Sequence, residues 1–298
     1  MEQSNSDKPQ LIVLCGPPGS GKSTMAREYT TLLERKYVYI NQDAQQRKHL
    51  QLFDEAIAAG NSVIVDRLNF SKNQRDRYLN PAKAKGYSTR INVIHESYDT
   101  CFNRMMLRKD HETIKDETNA RAALGMFFGK YERVQDDEAD IVSRFWSYGL
   151  KPLAVYSDLD GTLCDCEQRR HFVNKPKGEK KDWIGFFNGM AEDKVKVPVM
   201  EILRRFANNY QIVYCSGRPS DYRKVTQKWL DDNKAPSGPL FMRPRNDSRQ
   251  DDITKEILLD FEILTRYEVF FCLDDRDQVV KMLRKRGLTV FQVAPGDF

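Results

Sequence analysis

Two groups of residues in this 298-residue chain have the types and spacing that phosphate chemistry requires. The first runs from Gly16 through Pro17, Pro18, Gly19, Ser20, Gly21, Lys22 and Ser23 to Thr24, a G-x-x-x-x-G-K-S pattern. Glycines there let backbone N–H groups close on a triphosphate with no Cβ in the way. A helix opening at Lys22 points its positive end at the same anion. Lys22 adds a mobile charge for the β- and γ-phosphates, and the Ser23 hydroxyl is placed to hold Mg²⁺. The pattern implies binding of a nucleoside triphosphate such as ATP. A glycine-rich turn without a ligand is the plain alternative.

The second group is Asp158-Leu159-Asp160-Gly161-Thr162. Two acids two apart in extended backbone face the same side. One can attack phosphorus while the other handles protons, provided their environments differ. Attack by Asp158 would give an aspartyl-phosphate, with Mg²⁺ shielding the approaching anions from one another. Gly161 permits a sharp turn, and Thr162 is expected to steady Asp160 by a hydrogen bond. Further along come Ser216-Gly217-Arg218, a hydroxyl and a guanidinium for phosphate oxygens. Then come Lys255, four residues after Asp251, and the pair Asp274-Asp275, two more carboxylates for a metal. Each alone reads equally well as a helix cap or surface charge; together they suggest a metal-assisted phosphatase.

In the first half, Asp43 is suited to take a proton from an attacking hydroxyl, or to cap a helix starting at Ala44. Asp66 reads as a carboxylate that orients Mg²⁺ or its water, or as a cap. Arg104 and Arg108, four apart, share a helix face and are candidates to close over a γ-phosphate with the polar segment 109–115, unless they are only a solvated basic face.

These residues need strand ends to hold them. The first half alternates strand patterns at 11–15, 37–41, 62–66 and 90–95 with helical patterns at 22–35, 44–59, 71–86 and 97–109. Residues 110–147 read as all-helical. After a linker at 147–152, the alternation resumes with strands at 153–158, 211–216, 239–242, 268–275 and 289–293. Helices at 198–208, 221–233, 251–265 and 277–286 separate them. The expected fold class is α/β: two doubly wound parallel-sheet domains, residues 1–147 and 148–298, with ligands at the carboxyl ends of the strands.

Composition excludes other classes. A hydrophobic fraction of 40% with 31% charged residues fits a globular protein, and no apolar run is long enough to span a membrane. The polar opening residues lack the apolar core of a signal peptide. Six scattered cysteines without zinc spacing suit reduced thiols in the cytoplasm. A net charge of +5 suits an anionic substrate.

The order DLDGT, SGR, Lys255, LDD resembles the four motifs of the haloacid-dehalogenase phosphatase superfamily. Preceded by GPPGSGKST and Asp43, the whole is similar to the phage-type polynucleotide kinase/3′-phosphatases. That resemblance implies transfer of the ATP γ-phosphate to 5′-hydroxyl ends of RNA or DNA, and removal of 3′-phosphates and 2′,3′-cyclic phosphates. It makes Lys22 and Ser23 the phosphate-loop pair, Asp43 the general base, and Arg104 and Arg108 the lid arginines. Asp158 becomes the nucleophile and Asp160 the acid/base, with Arg218, Lys255, Asp251, Asp274 and Asp275 at the phosphate and metal positions. It also implies work beside a nucleic-acid ligase, a homo-oligomer (a tetramer) and, for a phage protein, the host cytoplasm. Two positions depart from the pattern. Gln46 stands where the family has an acceptor-phosphate arginine, leaving Arg47 one residue later. Arg169 and Arg170 compete for the phosphatase cap position, with Arg169 favoured by Phe172. The alternatives are a metabolite kinase fused to a phosphatase, or an end-binding module with one inactive half.

Overall fold

The computed structural model describes residues 8–32, 35–107, 116–146, 149–176 and 178–296. The chain divides into two compact units, Met1–Ser147 and Tyr148–Phe298.

The N-terminal unit is a five-stranded, wholly parallel sheet. Its strands are β1 (Gln10–Cys15), β2 (Val38–Asn41), β3 (Val63–Asp66), β4 (Ser88–Ile94) and β5 (Ile141–Phe145), in the order β2-β3-β1-β4-β5. β1 is central, and Leu11 to Cys15 are fully buried, as expected of a strand covered on both faces. Helices α1 (Lys22–Leu32), α2 (Gln42–Gln45), α3 (His49–Ala58), α4 (Lys72–Ala84), α5 (Tyr98–Leu107) and α6 (Glu117–Lys130) make the connections.

Two sequence expectations are corrected here. Residues 110–147 are not all-helical: after α6 the chain reaches β5, which pairs with Arg90–Ile94 of β4. Its five residues are exposed or half-buried, as befits an edge strand, so no buried apolar run marks it. The helix expected over 44–59 is also broken. Asn41, not Asp43, is the cap, accepting from the Ala44 N–H at 2.9 Å. Gln45 folds back onto the end of β2, donating to the Tyr39 carbonyl and accepting from the Asn41 N–H. Gln46 then turns to φ +46° before a 3₁₀ turn leads into α3.

The C-terminal unit is a second five-stranded parallel sheet. Its strands are β6 (Leu153–Ser157), β9 (Gln211–Pro219), β10 (Leu240–Arg243), β11 (Glu268–Asp274) and β12 (Val290–Gln292), ordered β10-β9-β6-β11-β12. Side-chain alternation divides its core in two. Val155, Ile212, Tyr214, Phe271 and Leu273 pack on one face with α8 (Val197–Phe206) and α9 (Arg223–Asp232). Ala154, Tyr156, Val213, Cys215 and Cys272 pack on the other with α10 (Asp251–Leu258) and α11 (Asp277–Lys285). The helix expected through residue 265 changes to a π-helical turn at Leu259–Ile263. Between β6 and α8 lies a segment to which the sequence patterns assign no element. It holds a small antiparallel pair, β7 (Cys164–Asp165) with β8 (Lys194–Val195), and the helix α7 (Trp183–Asn188).

Candidate active sites

In the N-terminal unit the strand ends gather the predicted residues. Register places Asp66 level with Leu14 and Asn41 on the neighbouring strands, just before the loop that starts at Gly16. Gly19 turns at φ +82°, and a Cβ on it would meet the Cys101 carbonyl at 2.6 Å, so only glycine fits. Gly16 is equally hemmed in by the Ile94 carbonyl, while Gly21, at φ +103°, faces open space. Ser20 and Thr24 donate backbone N–H groups to Pro17 and Gly21, closing the loop and the first turn of α1. The Ser20 hydroxyl is buried without a hydrogen-bond partner among the described residues.

Lys22 is buried, and its ammonium donates to the Pro17 carbonyl at 2.7 Å. Burial pulls its pKa down, and the charge of Asp66 resists the fall. Asp66 accepts from the Tyr39 hydroxyl at 2.6 Å and the Asn41 amide at 3.0 Å. The Ser23 side chain lies near enough to Tyr39 to bear on the proton affinity of its phenol. Asp43 is exposed on α2 and, relieved of capping by Asn41, keeps its carboxylate available, near enough for its charge to reach Lys22. Arg47 is exposed in the 3₁₀ turn after Gln46, so no regular helix relates it to Asp43. Arg104 pairs with the buried Glu96 at 3.0 Å. Arg108 and residues 109–115 lie outside the described residues.

The C-terminal site is built more tightly. The Asp158 N–H donates to Leu273, which sets Asp158 beside Asp274 just past the paired ends of β6 and β11. Lys255, fully buried on α10, reaches Asp158 at 2.7 Å, Asp274 at 3.0 Å and Asp251 at 3.5 Å. Three acids around one ammonium keep Lys255 charged despite its burial, with a pKa well above the ordinary lysine value. One carboxylate oxygen from each of Asp158, Asp274 and Asp275 lies within 4.8 Å of the others. Burial, and the repulsion of neighbouring acids, push Asp158 up to about 7 and Asp274 and Asp275 up to about 6. Asp275 Oδ2 is buried with no hydrogen-bond partner among the described residues. An all-oxygen donor set with an orphaned, electrostatically strained carboxylate fits a hard divalent cation.

Asp160 stands apart from these three. Arg218 donates to it from Nε at 2.9 Å and from Nη2 at 2.6 Å, and Arg169 also pairs with it. Burial alone would raise Asp160, but the two guanidiniums outweigh it and hold the carboxyl well below the usual range. Two expectations change accordingly. The side chain of Asp160 belongs with the arginines rather than with the metal cluster, and Arg218 is committed to Asp160 rather than held out for a phosphate. A third also changes, because Thr162 donates to Asp275, at 3.1 Å, instead of to Asp160. Of the competing arginines, Arg169 is the one that points in, whereas Arg170 pairs with the exposed Glu167. Ser216 accepts from the Arg218 N–H at 3.2 Å. A Cβ on Gly217 would strike Asp251 at 2.2 Å, so Gly217 lets Asp251 approach the strand end. Asp251 also pairs with Arg243 and Arg276.

The sequence reading missed Asp193. It is buried and accepts from Arg169, Arg218 and Gln168, so it backs both arginines that hold Asp160. No motif marks it, because it lies 33 residues beyond Asp160 in a segment without periodic pattern. A cavity of about 1040 Å³ opens onto Asp158, Asp160, Lys255 and Asp275.

Residues 152–298 match the family model described as "Polynucleotide kinase PNKP phosphatase domain", and residues 11–127 match an AAA domain model. A putative bifunctional polynucleotide kinase/RNA ligase of Autographa californica nuclear polyhedrosis virus is 28% identical over 95% of this chain and 42% of its own length. A putative bifunctional polynucleotide phosphatase/kinase of Acanthamoeba polyphaga mimivirus is 37% identical over 31% of this chain and 22% of its own. The chain thus spans less than half the length of these relatives. A solved structure titled "Structure of Pnkp1/Rnl/Hen1 complex" is 26% identical, covers 98% of both chains, and gives a TM-score of 0.41. With both halves matched in this order, residues 152–298 belong to the polynucleotide kinase phosphatase-domain family, and the chain as a whole is similar to bifunctional polynucleotide kinases.

Proposed function

We propose that this chain heals broken nucleic-acid ends, phosphorylating 5′-hydroxyls in its N-terminal unit and removing 3′-phosphates in its C-terminal unit. The observation that carries the reading is the buried Asp158–Lys255–Asp274–Asp275 group, which shares one cavity with an Asp160 held by two arginines. That division of environments is what a nucleophile and an acid/base need.

In the N-terminal unit, the loop N–H groups cradle the ATP phosphates, and Lys22 leaves the Pro17 carbonyl for the β- and γ-phosphates. Ser23 and Asp66 would hold Mg²⁺, which Tyr39 and Asn41 aid by fixing Asp66. Asp43 takes the proton of the attacking 5′-hydroxyl. Arg104 and Arg108 answer the charge on the transferred group, and Arg47 is the candidate contact for the acceptor's backbone phosphate.

In the C-terminal unit, Asp158 attacks the 3′-phosphorus, breaking the P–O bond to the sugar and forming an aspartyl-phosphate. Arg169 and Arg218 position Asp160 and keep it ionised in the free site; the charge of the incoming phosphate dianion draws a proton from solvent onto it, which it gives to the leaving oxygen and later regains from the water that hydrolyses the intermediate. Lys255 and the Ser216-Gly217 turn bear on the phosphate oxygens, and Asp251 keeps Lys255 in place. Asp158, Asp274 and Asp275 would hold Mg²⁺, which when bound lowers the proton affinity of Asp158 and screens it from the incoming phosphate. The viral relative named as a kinase/RNA ligase supports a partnership with a nucleic-acid ligase. All six cysteines are free and buried, and no described helix is long and apolar enough to cross a membrane, which suits work in the cytoplasm.

The test offers radiolabelled ATP with a 5′-hydroxyl oligonucleotide, and separately a 3′-phosphate oligonucleotide, in RNA and DNA forms. Transfer to the first and phosphate release from the second are expected. Activity confined to nucleosides, sugars or small phosphate esters would reject the proposal.

A further inference from the structure

Trp183 is 44% exposed, although it is a large aromatic lining the same cavity as Asp158 and Asp160. It is held firmly from behind. Phe187 lies nearly parallel to it, with ring centroids 5.9 Å apart and planes 23° from parallel, and Phe187 in turn rests on Tyr222 at 5.2 Å. Phe186 meets the indole edge-on at 6.0 Å. Asp182 caps α7 through the Gly185 N–H at 2.9 Å.

This helix is keyed to the chemistry. The Arg169 guanidinium lies 4.2 Å from the centre of the Phe186 ring and donates to the Phe186 carbonyl at 3.2 Å, while its other end holds Asp160. The indole is therefore fixed relative to the reacting group instead of drifting on a loop. The cavity, at about 1040 Å³, lies at the upper end of the roughly 300–1,000 Å³ that a drug-sized ligand fills. It is far larger than a phosphate group needs. Two lysines also line it, Lys175 and Lys181, the latter 5.7 Å from the Trp183 ring centre.

We infer that Trp183, backed by Phe187, is a stacking platform for the base of the nucleotide that carries the 3′-phosphate, so that the phosphatase takes unpaired ends. The inference rests on the end-healing reading and sharpens its substrate class. An aromatic face beside cationic side chains binds single strands without regard to sequence, because every base offers a π-face. A base inside a duplex has its faces covered by its neighbours and cannot reach the indole without being unstacked.

The test is a cycle of two proteins and two substrates. Phosphate release is measured for the wild type and Trp183→Ala on a single strand with an ordinary 3′-terminal nucleotide, and on the same strand with that nucleotide abasic. On the ordinary end, Trp183→Ala should lower kcat/KM by about tenfold to a hundredfold, mainly through KM. On the abasic end the two proteins should converge, and Trp183→Phe should retain most of the wild-type preference. The wild type should also favour a 3′-overhang over a blunt end. Equal penalties for Trp183→Ala on both substrates would overturn the platform, as would indifference to overhang. A change in oligomeric state without a change in the base-dependent penalty would overturn it too, and would assign the indole to a protein contact. Failure of the wild type to act on any oligonucleotide would instead sink the end-healing reading itself.

Discussion

The two units handle the same group with opposite building methods. The N-terminal site is made largely of backbone: glycines, loop N–H groups and a helix start, with Asp43 exposed at its edge. The C-terminal site is made of charged side chains locked together before any substrate arrives. Lys255 is shared by three aspartates, and Asp160 is gripped by two arginines that Asp193 backs. A site that binds a large polyanion needs donors free to meet it, which backbone amides supply at no cost in charge burial. A site that must make a carboxylate nucleophilic needs opposite charges fixed at short range in a dry pocket.

That contrast can be broken most directly by removing one group from each side. Asp158→Asn should abolish phosphate release, by about a thousandfold or more, and leave 5′-phosphorylation intact. Lys22→Ala should do the reverse on a similar scale. Loss of both activities from either folded variant would show that the sites are not independent.

Glycine substitutions sharpen the same point. A Cβ on Gly161 would lie 2.1 Å from the Asp275 carboxylate in backbone at φ +85°, so Gly161→Ala should cost phosphatase activity by at least about tenfold and about 1–3 kcal/mol of stability. At Gly21 the added Cβ meets nothing within 4 Å, so Gly21→Ala should cost stability through backbone strain alone. Thermal melts and both assays separate the two.

The buried acids predict a pH signature. Burial raises Asp275 to about 6 from an ordinary 3.8, so the folded state holds a proton there that the unfolded state has lost. Its contribution to stability is full below the ordinary carboxylate range and disappears as pH rises through about 6. With a chelator present, Asp275→Asn should therefore melt above the wild type at pH 8, by about 2 kcal/mol, with the gap narrowing below about pH 6 and closing toward the ordinary carboxylate range. Added Mg²⁺ should stabilise the wild type and not the variant. A variant that melts below the wild type at pH 8 would remove the strained-carboxylate account.

The smallest effect is expected from Tyr39→Phe, which deletes the 2.6 Å hydrogen bond to Asp66. A bond to a charged acceptor is worth about 1.5–3 kcal/mol, so kinase activity should fall about tenfold and need more Mg²⁺, with phosphatase activity unchanged. An unchanged Mg²⁺ dependence would detach Asp66 from the metal.

Much of this was legible in the residues because periodicity and turn chemistry are local. The apolar run at Leu11–Cys15 and the Gly-Lys-Ser turn mark a strand, a loop and a helix within a few residues. Asp158, Asp274 and Ser216 each follow an apolar run that ends at a site. β5 escaped notice because an edge strand is only half-buried and carries Ser143 and Arg144 within it. The break at Gln46 escaped because it arises from Gln45 bonding back to β2, a contact between side chain and strand that no periodic pattern encodes.

The sequence by itself determined which residues could do phosphate chemistry and that they would sit at the ends of parallel strands, since both follow from local spacing and strand–helix alternation. Their sharing-out is a matter of tertiary structure: Asp160 goes to the arginines, Asp193 backs those arginines, Thr162 goes to Asp275, Lys255 serves three acids at once, and Trp183 lines the pocket. Those pairings depend on distances between elements far apart in the chain, where electrostatic and packing energies, rather than sequence neighbours, select the partner.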